Sequence, residues 1–189
     1  MHVSSRWCVT AFLALGALSC SDPVPPPAQG AFLTTIKAAS PAPAGKSCPT
    51  SVAFTYDVPS IQATKPLEAL DDNTYLHRSI DGEDNASVSC KVAGSSSFTF
   101  GGRIVLGGRA ISIGNGTLGA DKKGTAQITV TNSESLSGSL ISPTPNCMIN
   151  AYQVKAGSMW ASFSCPSVEA PPSEYCTASG YFVLENCEQ

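Results

Sequence analysis

The chain predicts an all-β fold: an antiparallel β-sandwich, or a barrel-like relative of it, of roughly eight to ten short strands stapled by disulfides. Three observations predict it. From Ser97 onward, short β-prone runs (SFTF, RIVL, RAISI) alternate with Gly-rich pieces. In residues 125–131, apolar Ala126, Ile128 and Val130 alternate with polar Gln127, Thr129 and Thr131, the two-residue period of a strand with one buried face. No stretch longer than about two turns carries a helical period.

The elements follow in order. Residues 31–37 (AFLTTIK) read as a first strand, or as the ordered end of the segment before it. Residues 40–47 are a Pro/Ala/Gly-rich loop. Residues 51–56 (SVAFTY) form a strand. Residues 58–84 are the least regular stretch: Pro59 and Pro66 interrupt it, and 66–70 suits a short helical turn. Residues 87–93 (SVSCKVA) are a strand. In the repetitive region Gly101-Gly102, Gly107-Gly108 and Gly114-Asn115-Gly116 read as turns between strands, followed by the strands at 125–131 and 136–141.

The sharpest local expectation is a hairpin from Cys147 to Cys165. Lys155-Ala156-Gly157 fits a three-residue loop with Gly157 in the left-handed position. That register pairs Val154 with Ser158, Tyr152 with Trp160, Ala151 with Ala161 and Ile149 with Phe163, and sets Cys147 opposite Cys165. One face then carries Cys147, Ile149, Ala151, Ala161, Phe163 and Cys165; the other carries Asn150, Tyr152, Trp160, Ser162 and Ser164. Cys147–Cys165 is therefore the first disulfide. Cys48–Cys90 would join the two early strands. Cys176–Cys187 follows by elimination, as one of 15 ways to connect six cysteines.

The other cysteines belong to the leader. Residues 1–20, MHVSSRWCVTAFLALGALSC, open with His2 and Arg6, continue with an almost unbroken apolar run from Val9 to Leu18, and end at Cys20. This is the layout of a secretory signal, residues 1–19. The apolar run is about ten residues, and a membrane span needs about 20. The segment resembles a bacterial lipoprotein signal, although Ala17 and Leu18 depart from the usual box and only Ser19 fits it. The resemblance implies that Cys20 is acylated on sulfur and becomes the first residue of the mature chain. Ala17-Leu18-Ser19 also suits an ordinary signal peptidase, but parity favours the lipid. Of eight cysteines, Cys8 leaves with the signal, and lipidation of Cys20 leaves an even six, which can pair completely.

After Cys20 comes SDPVPPPAQG, with Pro23, Pro25, Pro26 and Pro27. Such a segment favours polyproline II at ~3.1 Å per residue, so residues 20–30 read as a semi-rigid tether reaching up to about 30 Å. Residues 31–189 are then a single β domain, long enough to bury about 70% of its unfolded surface. Disulfides in such a domain are reinforcement and mark an oxidising compartment. The expected location is the bacterial cell envelope, at the outer membrane or cell surface.

Charge limits the partners. The net charge is −3, and loss of Arg6 with the leader makes it one unit more negative. Without a basic patch, nucleic acid is not an expected partner. The membrane is one through the lipid, and an unknown protein or glycan is the other.

Four constellations invite a chemical reading. Gly114-Asn115-Gly116-Thr117-Leu118-Gly119 matches G-x-G-x-x-G, but the dinucleotide motif must open a helix, and here a turn and another strand follow. Glu68, Asp71, Asp72, Asp81, Glu83 and Asp84 are six of the 14 carboxylates. Asp81, Glu83 and Asp84 are weak calcium candidates, against the plain reading of a solvated loop. His77 is a lone histidine, and no nucleophile motif or C-x-x-C spacing is present. Tyr152 and Trp160, on the polar face of the hairpin, form an aromatic pair that can stack on a sugar ring, or else pack beneath a neighbouring segment. Asn85-Ala86-Ser87 and Asn115-Gly116-Thr117 are glycosylation sequons that a bacterial host would leave bare.

The sequence therefore predicts a non-catalytic, membrane-anchored lipoprotein with a binding or structural role and no cofactor. One alternative is a carbohydrate- or matrix-recognition module using Tyr152 and Trp160, with calcium assistance. A secreted hydrolase is the remote alternative.

Overall fold

In the computed structural model, which describes residues 24–48, 79–133, 136 and 138–189, every helix or strand assigned is a strand. They are β1 (Gln29–Ala38), β2 (Ser79–Ile80), β3 (Ala86–Gly94), β4 (Phe98–Leu106), β5 (Arg109–Leu118), β6 (Lys123–Asn132), β7 (Ser139–Ile141), β8 (Cys147–Lys155), β9 (Ser158–Ala170) and β10 (Glu174–Glu185). The strands expected at 31–37, 87–93 and 125–131 are β1, β3 and β6, each slightly longer than the sequence indicated. The leader 1–19 with Cys20, the strand at 51–56 and the turn at 66–70 lie outside the described residues.

The strands form one antiparallel sheet in the order β2-β1-β10-β9-β7-β6-β5-β4-β3, with β8 also paired to β6 and β9. The sheet curls into a small closed barrel with outer strands, the barrel-like form of the expected fold. The seam is made by the chain's end. Lys91 of β3 pairs in parallel with Glu188; Val92 N donates to Glu188 O at 2.9 Å and Glu188 N to Cys90 O at 3.0 Å. The edge of β3 is thereby paired at Cys90, Lys91 and Val92, which blunts it as a site for intermolecular pairing.

Two of the expected turns are not turns. Gly101-Gly102 lies inside β4, and Gly114-Asn115-Gly116 lies inside β5. The burial alternation runs through them: Phe98, Phe100 and Ile104 face inward on β4, and Ile111, Ile113, Gly116 and Leu118 on β5. β5 carries one extra residue against both neighbours, because its register shifts against β4 between Phe100 and Gly102 and against β6 between Gly114 and Thr117. The result is a β-bulge at Asn115, whose φ is 51°. A bulge increases local twist and bends the strand, which helps a sheet to close. Of the three, only Gly107-Gly108 turns the chain.

Between β7 and β8, one residue completes the edge of β6. Ser142 N donates to Ile128 O, while Ser142 Oγ accepts from Ile128 N at 2.9 Å. The core is apolar, with Phe32, Ile104, Ile111, Ile128, Leu140, Phe182 and Leu184 all but inaccessible. One hydroxyl is out of place there: Thr34 is fully buried and its Oγ1 has no hydrogen-bond partner. Burying an unpaired hydroxyl costs about 1–3 kcal/mol. Thr34→Val keeps the branched shape and removes the orphan, so it is expected to stabilise the fold by about 1 kcal/mol. Urea unfolding should show a raised midpoint at unchanged slope.

The hairpin of β8 and β9 forms with Ile149 opposite Phe163 and Ala151 opposite Ala161 as expected, but the register shifts between Ala151 and Gln153. Tyr152 is skipped, Gln153 faces Trp160, and Lys155 faces Ser158. The loop is thus two residues, Ala156-Gly157, with Gly157 at φ 79°. Gly157 sits on the seam: its N–H donates to Val92 O, and its carbonyl accepts from Cys187 N.

The disulfides are Cys147–Cys165, Cys48–Cys176 and Cys90–Cys187. The first is the expected one. The expected Cys48–Cys90 and Cys176–Cys187 are not formed, and the reason is topological. β1 runs antiparallel to β10, with Ala38 opposite Cys176, and the chain after β1 returns to set Ser47 beside Glu174, which delivers Cys48 to Cys176. After β10 the chain runs along β3, which delivers Cys187 to Cys90.

Candidate functional site

β3, β4 and β5 lie side by side, with Lys91 opposite Gly101 and Thr99 opposite Thr117, Phe100 opposite Gly116. Lys91, Thr99, Asn115 and Thr117 are exposed. The bulge displaces Asn115 from the regular alternation, as bulges beside binding sites commonly do. These residues surround a surface concavity of about 450 Å³, with Phe100, Gly101 and Gly116 also lining it.

Glycine is required at 116. A Cβ there would lie 2.5 Å from Phe100 Cε2, so the ring can sit against the strand only if position 116 has no side chain. Phe100 itself is held from below, stacked on Phe182 with centroids 6.2 Å apart. The wall is thus anchored to the core, and the rim is polar. Among the described residues, none engages the side chain of Lys91, Thr99, Asn115 or Thr117. Among the described residues, the lining includes one ionisable side chain, Lys91. These groups can hold a ligand by hydrogen bonds and one charge.

A second concavity, of about 460 Å³, lies where the chain enters the barrel, between Pro25, Pro26, the β8–β9 turn and the end of β10. Asn186 Nδ2 donates to Pro27 O at 3.0 Å. The proline segment is therefore fastened to the barrel at its last residues and extends away from it earlier, with Val24 fully in solvent.

The aromatic pair expected on the hairpin does not assemble. Trp160 is only 6% exposed and packs with Ala31 and Val183. The bulge at Tyr152 breaks its pairing with Trp160, and Tyr152 instead stacks on Tyr181 at 6.4 Å. A buried indole offers no face to a sugar. The acidic candidates Asp81, Glu83 and Asp84 are exposed and form the turn between β2 and β3. Asp81 Oδ1 accepts from Val88 N at 2.8 Å, which is turn chemistry. Among the described residues no three His, Cys, Asp or Glu side chains come together to hold a metal; Glu68, Asp71, Asp72 and His77 lie outside them.

Phe100 and Lys91 did not stand out in the sequence, and Asn115 did so only within a glycine motif and a sequon. The available signal was a glycine inside an alternating pattern, which marks a bulge as readily as a turn. No family model matches the chain, and neither does any curated protein or solved structure.

Proposed function

We propose that the chain is an exported, lipid-anchored binding protein of the cell envelope, in which a rigid β-barrel is held at the membrane by Cys20 and a proline stalk. The observation that carries the reading is the cysteine pairing. All six barrel cysteines bond to one another, so Cys20 has no barrel thiol left to pair with, and disulfides in this number belong to an oxidising compartment. The stalk's attachment at Pro27 supports a fixed exit point for an anchor. Binding is supported by the rim of the β3–β5 concavity, whose groups donate and accept hydrogen bonds.

The test is a membrane fractionation of cells producing the full chain and its Cys20→Ala variant. The unaltered protein is expected in the membrane fraction with an intact mass raised by acyl groups, and the variant in the soluble fraction with no such increment. An unmodified mass with one free thiol in the unaltered protein would replace this reading with a soluble secreted protein.

A further inference from the structure

We infer that the β3–β5 concavity binds an acidic sugar unit, the uronic acid type found in extracellular polysaccharides. The inference rests on the binding half of the reading above and is independent of the anchor. The volume of about 450 Å³ falls within the 300–1,000 Å³ typical of small-molecule sites. Its wall offers two kinds of surface. The backbone of Gly101, half-buried and without a side chain, gives the C–H face of a pyranose a floor to lie on, and Phe100, only 5% exposed, supports that floor from the core side rather than touching the ligand with its ring face.

Around that wall stand Thr99, Thr117 and Asn115. Their hydroxyls and amide each donate and accept, and sugar hydroxyls need partners that do both. Thr99 and Thr117 are directly opposed across two strands, so they act from a rigid base. Lys91 adds one positive charge at the edge and has no ion pair among the described residues. With no carboxylate in the lining among the described residues, that ammonium is placed to receive a ring carboxylate. Inorganic phosphate fits less well, since it would call for several cationic or backbone donors converging on one point, and the rim offers a single cation among neutral groups.

The test is an amide-detected NMR titration of the full-chain protein in detergent. The probes are a glucuronate-containing oligosaccharide, a neutral glucose oligosaccharide and inorganic phosphate. The acidic oligosaccharide is expected to cause saturable shifts at Gly101, Asn115 and Gly116, with the neutral one about tenfold weaker, the scale of one charge-assisted hydrogen bond. Lys91→Met should remove that preference without altering the thermal midpoint. Asn115→Gly, which retains the left-handed backbone, should weaken both sugars. Absence of saturable shifts at these amides overturns the proposal. Equal binding of both sugars overturns the acidic assignment, and phosphate binding as tightly as the acidic sugar reduces the site to a general anion site. Because the protein is in detergent, failure here leaves the anchoring result untouched.

Discussion

Combining Cys90→Ser with Cys187→Ser is expected to lower the unfolding free energy by about 3–5 kcal/mol. The bond spans a sequence separation of 97, and cross-linking so long a loop removes much of the unfolded chain's freedom. It also holds the barrel's seam. Val92, Glu188, Cys90, Cys187 and Gly157 exchange backbone hydrogen bonds within a few residues of the bridge. Without the bridge, the segment after β10 is held on β3 by those bonds. The Cys147–Cys165 bond closes a separation of only 18 between residues already on paired strands, so its removal should cost less, about 3 kcal/mol or below. Guanidinium midpoints of the two double variants test the order, and hydrogen exchange at Val92 and Glu188 should accelerate selectively in the seam variant. A seam variant more stable than the hairpin variant would mean that the C-terminal strand contacts close the barrel unaided.

The second large effect belongs to Phe182→Ala. Phe182 is fully buried and lies between Phe100 and Phe163, at centroid distances of 6.2 and 6.3 Å. Truncating a buried phenylalanine costs about 3–5 kcal/mol, combining lost transfer energy with the cavity left behind. For a domain of this size the thermal midpoint should fall on the order of 10 °C. Phe182→Leu refills much of the space and should cost less than half as much. Because Phe182 supports Phe100 from beneath, the alanine variant should also weaken any ligand in the β3–β5 concavity, whereas Thr34→Val should not. Calorimetric melting of the three variants reads the stability effects directly.

Local periodicity made the strands legible. The alternation at 125–131 and the hairpin's paired apolar positions each specify a strand whose inner face is decided by its own side chains. That information failed wherever the deciding partner is distant in sequence. Cys48 reaches Cys176 only because β1 pairs with β10, a contact across most of the chain. Cys187 reaches Cys90 only because the tail returns to β3. The bulges were hidden for another reason. Glycine serves equally in a turn and in a strand where another group approaches closely, so Gly116 could be assigned only once Phe100 was seen against it. Trp160 shows the same limit, since one skipped residue at Tyr152 changes which aromatic side chains meet.

The placement of Cys48–Cys176 also sets how the molecule bears a mechanical load. A pull on the proline segment enters at Gln29 and draws on β1, which is bonded along its whole length to β10. If β1 tears away, the released chain pays out only as far as Cys48, because that residue is covalently joined to β10. The slack is roughly 65 Å at full extension. Beyond it the force passes through sulfur into β10, itself laced to β9. β1 then behaves as a shock absorber: a strand that can rupture, dissipate work and re-form while the rest of the barrel stays shut.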